Sequence, residues 1–162
     1  RANKRKQRAM RRMLKDELER NKWSLKSLHN CVNTLESSRH RPTATLVVRE
    51  TPRGGRLMRI EGPHDDAQQP VPKVHSAFLK SNILEIALSD EEVFEQALET
   101  IDALAEMEHI LKGILEYAED QEAIGFEGFP DYAHKELDDC ETILAALYST
   151  LTGKPYEDFR LR

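Results

Sequence analysis

Two pairs of residues have types and a spacing that suit a metal centre. Glu106 is followed three residues later by His109, and Asp131 by His134. Repeated acid-x-x-His pairs hold di-iron centres in helical bundles, because this spacing places both side chains on one helix face. Here Glu106 falls nearly opposite the apolar stripe of its own helix, and Asp131 belongs to a first helical turn, where acids commonly cap. We therefore predict no metal and no other cofactor.

Other catalytic patterns are weak. Cys31 and Cys140 each lie on or near an apolar stripe and form no CxxC pair, which favours buried, reduced thiols and a reducing, cytoplasmic compartment. The sequence contains no G-x-S-x-G elbow. Residues 152–155, Thr-Gly-Lys-Pro, lack the glycines and the final Ser or Thr of a phosphate-binding loop. We predict that the protein is not an enzyme.

The strongest chemical signal is the distribution of charge along 162 residues whose net charge is only −5. Residues 1–27 contain eleven Lys or Arg and three acidic residues, whereas residues 89–141 contain eighteen acidic residues and two Lys. A cationic tip on an anionic body attracts phosphates at one end only. The candidate residues for contacting a membrane surface or phosphates are Arg1, Lys4, Arg5, Lys6, Arg8, Arg11, Arg12 and Lys15.

Two kinds of partner fit such a tip. Lys and Arg accumulate on the cytoplasmic flank of membrane anchors, so we expect an anchor to precede Arg1 and an anionic membrane surface to face the tip. The sequence itself has no apolar run long enough for a transmembrane helix and no signal peptide. A nucleic acid is the alternative, with the basic helix contacting the backbone only, because Trp23 is the first aromatic residue.

The first part of the chain predicts one long helix followed by strands. Residues 2–38 lack Pro and Gly, and apolar residues recur at helical spacing from Met10 to Leu35, with Asn21 at one position of the stripe. The turns before Met10 lack an apolar face, so they are predicted to project beyond the core, and residues 1–15 are assigned as a basic helical extension that could flank a membrane. A β-hairpin is predicted over 43–60, turning at Gly54 and Gly55, and a loop over 61–73.

The second part predicts three further helices. A short helix covers residues 74–88, and Ser89 begins the next as a capping box with Glu92. Apolar residues recur along that helix at Phe94, Ala97, Leu98, Ile101, Leu104, Leu111, Leu115 and Ala118, and Phe94, Leu98, Ile101 and Leu104 define its apolar face. The last helix begins near Asp131 and stops at Gly153. The fold class is thus mainly α, an antiparallel bundle of three to four helices with a β-hairpin inserted after the first long helix.

These features predict a single helical domain over 10–162 with a non-catalytic interaction or scaffolding role. The leading hypothesis tethers it to the cytoplasmic face of a membrane, where it binds an unidentified protein partner. The alternatives are a nucleic-acid-associated protein and a soluble homo-oligomer joined through the first helix, with Asn21 setting the register. Four aromatic residues are expected to pack at the bundle ends rather than form a binding surface. They are Phe126, Phe129, Tyr156 and Phe159.

Overall fold

The computed structural model describes residues 2–40, 45–62, 68–120 and 122–159. Its helices are α1 (Ala2–Arg39), α2 (Ala77–Ser89), α3 (Glu91–Glu119) and α4 (Phe129–Thr152), and a short 3₁₀ turn (Phe126–Gly128) precedes α4. Three strands lie between α1 and α2, namely β1 (Thr45–Glu50), β2 (Arg56–Glu61) and β3 (Gln68–Val71). The mainly α fold with strands inserted after the first long helix is confirmed.

The chain forms two compact units. The first contains residues 1–23, 74–107 and 138–162, and the second contains residues 24–73 and 108–137. In the first unit α1 and α4 are antiparallel, because Lys22 pairs with Glu141 whereas the earlier Glu19 accepts a hydrogen bond from the later Tyr148. In the second unit the same two helices contact each other through His29 and His134.

The inserted strands form a three-stranded antiparallel sheet in the order β1-β2-β3. Leu46 pairs with Ile60, and Met58 is buried two residues from Ile60, so one face of the sheet is apolar. Gly54 turns the hairpin at a φ of +80°, which an L side chain rarely adopts. Positions 43 and 44 of the predicted hairpin lie outside the described residues.

The loop predicted over 61–73 is partly wrong, because residues 68–71 form β3. This strand was not predicted because it contains Pro70, and proline lacks the backbone N–H that a central strand needs. It is tolerated in β3 because β3 is an edge strand, paired with β2 alone. The Pro70 carbonyl accepts a hydrogen bond from the Ser27 hydroxyl at 2.9 Å, which attaches this strand to α1.

Buried polar side chains of α1 hold the entry to α2. Both carboxylate oxygens of Glu17 accept backbone N–H groups at the start of α2, from Phe78 at 2.9 Å and from Leu79 at 3.0 Å. Asn21 accepts the His75 N–H at 2.8 Å and donates to the His75 carbonyl at 2.6 Å. Since the first turn of a helix has N–H groups without intrahelical partners, Glu17 caps α2 from another helix.

The capping box predicted at Ser89 is wrong. Ser89 is the last residue of α2, and its hydroxyl donates to the Glu85 carbonyl at 2.6 Å. Asp90 separates the two helices, with its N–H bonded to the Ile86 carbonyl, and α3 begins at Glu91. The break therefore falls one residue later than the pattern of hydroxyl and acidic residues indicated.

The apolar positions assigned to α3 are right in part, because Ala97, Leu104, Leu111 and Ala118 are buried. Leu104 is buried, but Leu98 is exposed and Phe94 and Ile101 are only partly buried. The buried face also includes residues that the prediction did not name, which are Val93, Thr100, Ala103, Met107, Ile110 and Ile114. Alanine and threonine carry a weak hydropathy signal, so the predicted face followed the larger apolar side chains instead.

Candidate phosphate-contacting surface

Three of the eight candidate cations are held in ion pairs. Lys6 Nζ lies 2.6 Å from Glu85 Oε2 on α2, and Lys15 Nζ lies 3.4 Å from Glu19 Oε2 one turn further along α1. Arg11 binds Asp90. Lys6 and Gln7 thus contact α2 from the turns before Met10, although Met10 is the first buried residue of α1 among those described.

The Arg11 contact is the most specific of the three. Arg11 Nε donates to Asp90 Oδ2 at 2.7 Å and a terminal nitrogen donates to Asp90 Oδ1 at 2.8 Å, while Glu92 accepts a further hydrogen bond at 3.0 Å. Asp90 is 3% exposed. The hydrogen bond to Asp90 is the main cause that raises the pKa of Arg11 above its usual range. The Arg11 guanidinium thus forms an intramolecular ion pair and does not face an external anion.

Four other candidates remain exposed, and no partner contacts them among the described residues. They are Lys4, Arg5, Arg8 and Arg12, which we call the basic stripe. Residues 4, 8 and 12 follow at one helical turn each and span about 12 Å, so the charges share one side of α1. Met10 and Leu14 point to the core from the opposite side. Arg1, the eighth candidate, lies outside the described residues.

Burial on α1 explains which cations are exposed. Burial of Met10 and Leu14 fixes the rotation of α1 about its own axis. In this orientation Arg11 binds Asp90 and Arg12 faces solvent. Sequence reasoning found all of these cations but did not separate the paired from the unpaired. The partners Glu85 and Asp90 lie 79 residues further along the chain, beyond the reach of any local pattern.

Exposed apolar side chains near the basic residues were missed at the sequence level. Leu84 and Leu88 on α2 are 70% and 75% exposed, and Met13 on α1 is 46% exposed. The available signal is the composition of α2, whose thirteen residues include only Lys80 and Glu85 as charged side chains. A helix this apolar, with a single buried face, must expose some of its apolar residues.

The acid-x-x-His pairs do not come together as a metal centre. His109 and Asp131 are exposed, and among the residues that the structure describes no group of three or more His, Cys, Asp or Glu side chains is placed to hold an ion. His134 instead packs on His29, with the two Nδ1 atoms 2.6 Å apart and the rings nearly parallel. In such a hydrogen bond one Nδ1 donates and the other accepts, and the tautomers of the two rings decide which.

Both cysteines are buried, and they form no disulfide. Burial raises the pKa of the Cys31 thiol to about 12. Cys31 donates to the Pro70 carbonyl and Cys140 to the Ala103 carbonyl, at 3.5 and 3.3 Å. A protonated thiol is a poor nucleophile, and Cys31 packs in the core.

The four aromatic residues pack as expected, in one cluster per unit. In the second unit Phe126 and Phe129 contact Tyr117, with ring centroids 5.4 and 4.9 Å apart. In the first unit Tyr156 and Phe159 both contact Tyr148. The Tyr156 hydroxyl also donates to the Leu18 carbonyl, and burial is the main cause that raises the Tyr156 pKa above its usual range.

No helix among the described residues combines the length and the apolar character needed to cross a bilayer. The sequence matches no protein-family model, and neither the curated proteins nor the solved structures include a match to it.

Proposed function

We propose that this protein is a non-catalytic interaction domain that docks on an anionic membrane surface through the basic stripe. The observation that carries the proposal is the separation of α1 cations into two sets. Lys6, Arg11 and Lys15 are neutralised by acidic side chains, whereas Lys4, Arg5, Arg8 and Arg12 have no partner among the described residues.

The geometry of the basic stripe supports a flat anionic partner. Its side chains lie on one side of a continuous helical segment, so they can reach phosphates in one plane together. Each Lys or Arg near such a surface contributes about 1 kcal/mol before screening. Four of them therefore give about 4 kcal/mol, which suits reversible docking. The proposal sets this docking at the cytoplasmic leaflet, because anionic lipids concentrate there.

The test is cosedimentation with vesicles of phosphatidylcholine alone and of phosphatidylcholine with phosphatidylserine. The full chain is compared with a variant in which all four stripe residues are Ala. We expect binding to the anionic vesicles only, a steep decrease with salt, and a loss of at least tenfold in the variant, since four charge contacts are removed.

A matched control removes four exposed cations elsewhere, so that the net charge changes equally. Arg53→Ala, Lys112→Ala, Lys135→Ala and Lys154→Ala lie outside α1. If this control weakens binding as much as the stripe variant does, net charge explains the binding and the proposal is wrong. Duplex DNA in the same buffers is the second comparison. Tighter binding to DNA than to anionic vesicles would replace the membrane proposal with backbone contacts to nucleic acid.

A further inference from the structure

The outward face of α2 exposes two leucine side chains to solvent. Leu84 and Leu88 lie one helical turn apart and are 70% and 75% exposed, while Leu79 and Ile86 fill the core on the other side. Lys80, one turn before Leu84, is also exposed. Leu84 and Leu88 thus expose apolar side chains on a side of α2 that also exposes Lys80 and Ser81.

Contacts between α1 and α2 fix the position of this face relative to α1. Lys6 pairs with Glu85, which directly follows Leu84 in sequence, and Gln7 donates to the Ser89 carbonyl at 3.2 Å. The C-terminal half of α2 therefore lies against the first turns of α1. The ion pair also neutralises Glu85, the only acidic residue of α2.

Met13 extends the apolar face onto α1. It follows Lys6 by seven residues, which is about two helical turns, so it lies on the side of α1 that contacts α2. It is 46% exposed. Arg12, its neighbour in sequence, belongs to the basic stripe. Met13, Leu84 and Leu88 form what we call the apolar face, and cations border it on both helices.

Charge complementarity selects the occupant of this face. Exposed leucines bordered by Lys and Arg are typical of segments that lie in a membrane interface, where apolar side chains enter the acyl boundary and cations bind lipid phosphates. We infer that Leu84 and Leu88, together with Met13, insert into the headgroup region of an anionic membrane while the basic stripe binds the phosphates. This inference rests on the proposed function and adds a hydrophobic contribution to it.

The experiment compares the full chain with Leu84→Ser/Leu88→Ser. Binding to the anionic vesicles is measured as a function of salt, and penetration is measured as the rise in surface pressure beneath a monolayer of the same lipids. We expect the double variant to bind about tenfold more weakly, because two apolar side chains no longer leave water. Its dependence on salt should be unchanged, and its pressure rise should be largely lost.

Leu98→Ser is the matched control, because it makes the same kind of change at an exposed leucine of α3 in the same unit. It should leave both measurements unaltered. Thermal unfolding by circular dichroism confirms that the variants are folded, which we expect because the replaced side chains face solvent.

The results distinguish failure of the inference from failure of the proposed function. If the full chain binds anionic vesicles through the basic stripe but the double variant binds and penetrates equally well, docking is purely electrostatic and the inference is wrong. If the full chain forms dimers that the double variant abolishes, the apolar face is a protein interface and the inference is again wrong. If the full chain does not bind anionic vesicles, the proposed function fails first.

Discussion

Arg11 holds the buried carboxylate of Asp90 with two parallel hydrogen bonds, 2.7 and 2.8 Å long. This pairing joins the first turns of α1 to the junction of α2 and α3. Bidentate contacts of this kind are directional as well as strong, because the planar guanidinium matches the two carboxylate oxygens. One arginine of a highly basic segment is thereby a structural residue, while the next one faces solvent.

Replacing Arg11 is predicted to reduce stability, whereas replacing the neighbouring Arg12 is predicted to reduce membrane binding. Arg11→Ala should lower the free energy of unfolding by about 3 kcal/mol, because it leaves the Asp90 carboxylate buried without its main partner. Arg12→Ala should change it by less than about 0.5 kcal/mol, as is usual for exposed positions, yet weaken binding to anionic vesicles. Denaturant unfolding and vesicle cosedimentation on the same two proteins test this. Equal losses of stability would contradict the assignment of the two roles.

Replacing Glu17 is predicted to lower the free energy of unfolding, because its carboxylate caps α2 from α1. Glu17→Ala removes the acceptors of the Phe78 and Leu79 N–H groups, and we expect a loss of about 2 kcal/mol in the free energy of unfolding. Glu17→Gln should lose less, because the amide oxygen still accepts one bond. The control is Asp16→Ala, next in sequence and exposed. A Glu17→Ala variant as stable as this control would show that the cap is unimportant.

Replacing Asn21 is predicted to change amide hydrogen exchange at His75. The His75 N–H is bonded to the Asn21 side chain, so Asn21→Ala should accelerate exchange at His75 and lower the free energy of unfolding by about 1–2 kcal/mol. Asn21→Asp should be worse, because a carboxylate would face the His75 carbonyl where the amide now donates. Amide exchange followed by NMR reports on both variants. Exposed Asn33→Ala is the control, and unchanged protection of His75 in Asn21→Ala would refute the assignment.

Cys31 predicts a loss of stability at alkaline pH. Burial raises its pKa from about 9 to about 12, so the folded state keeps a proton that the unfolded state releases. The stability that this provides is complete below pH 9 and is lost as the pH rises from about 9 toward 12. Tyr148 and Tyr156, whose pKa values are also raised mainly by burial, act in the same direction.

The measurement is denaturant unfolding between pH 8 and about pH 10.5, for the full chain and for Cys31→Ala. The variant is less stable at pH 8, because a small cavity forms, but its stability should decrease less with rising pH. Parallel slopes in the two proteins would contradict the role given to the thiol.

Local pattern determined most of the secondary structure. The long helix, the hairpin that turns at Gly54 and the last helix with its stop near Gly153 were all predicted, because helix periodicity and turn-forming residues act over a few neighbours. β3 was not predicted, since Pro70 opposes a strand locally and only its place at the sheet edge, bonded to α1, permits one.

The sequence by itself determined which segment is cationic, because charge is a property of residue type. It did not determine which of those cations remain available. Arg11 and Arg12 have the same side chain and nearly the same neighbours, and they differ by about 100° of rotation around α1. Only tertiary packing sets that rotation relative to Asp90, which lies 79 residues away, because burial of Met10 and Leu14 decides which side of the helix meets solvent.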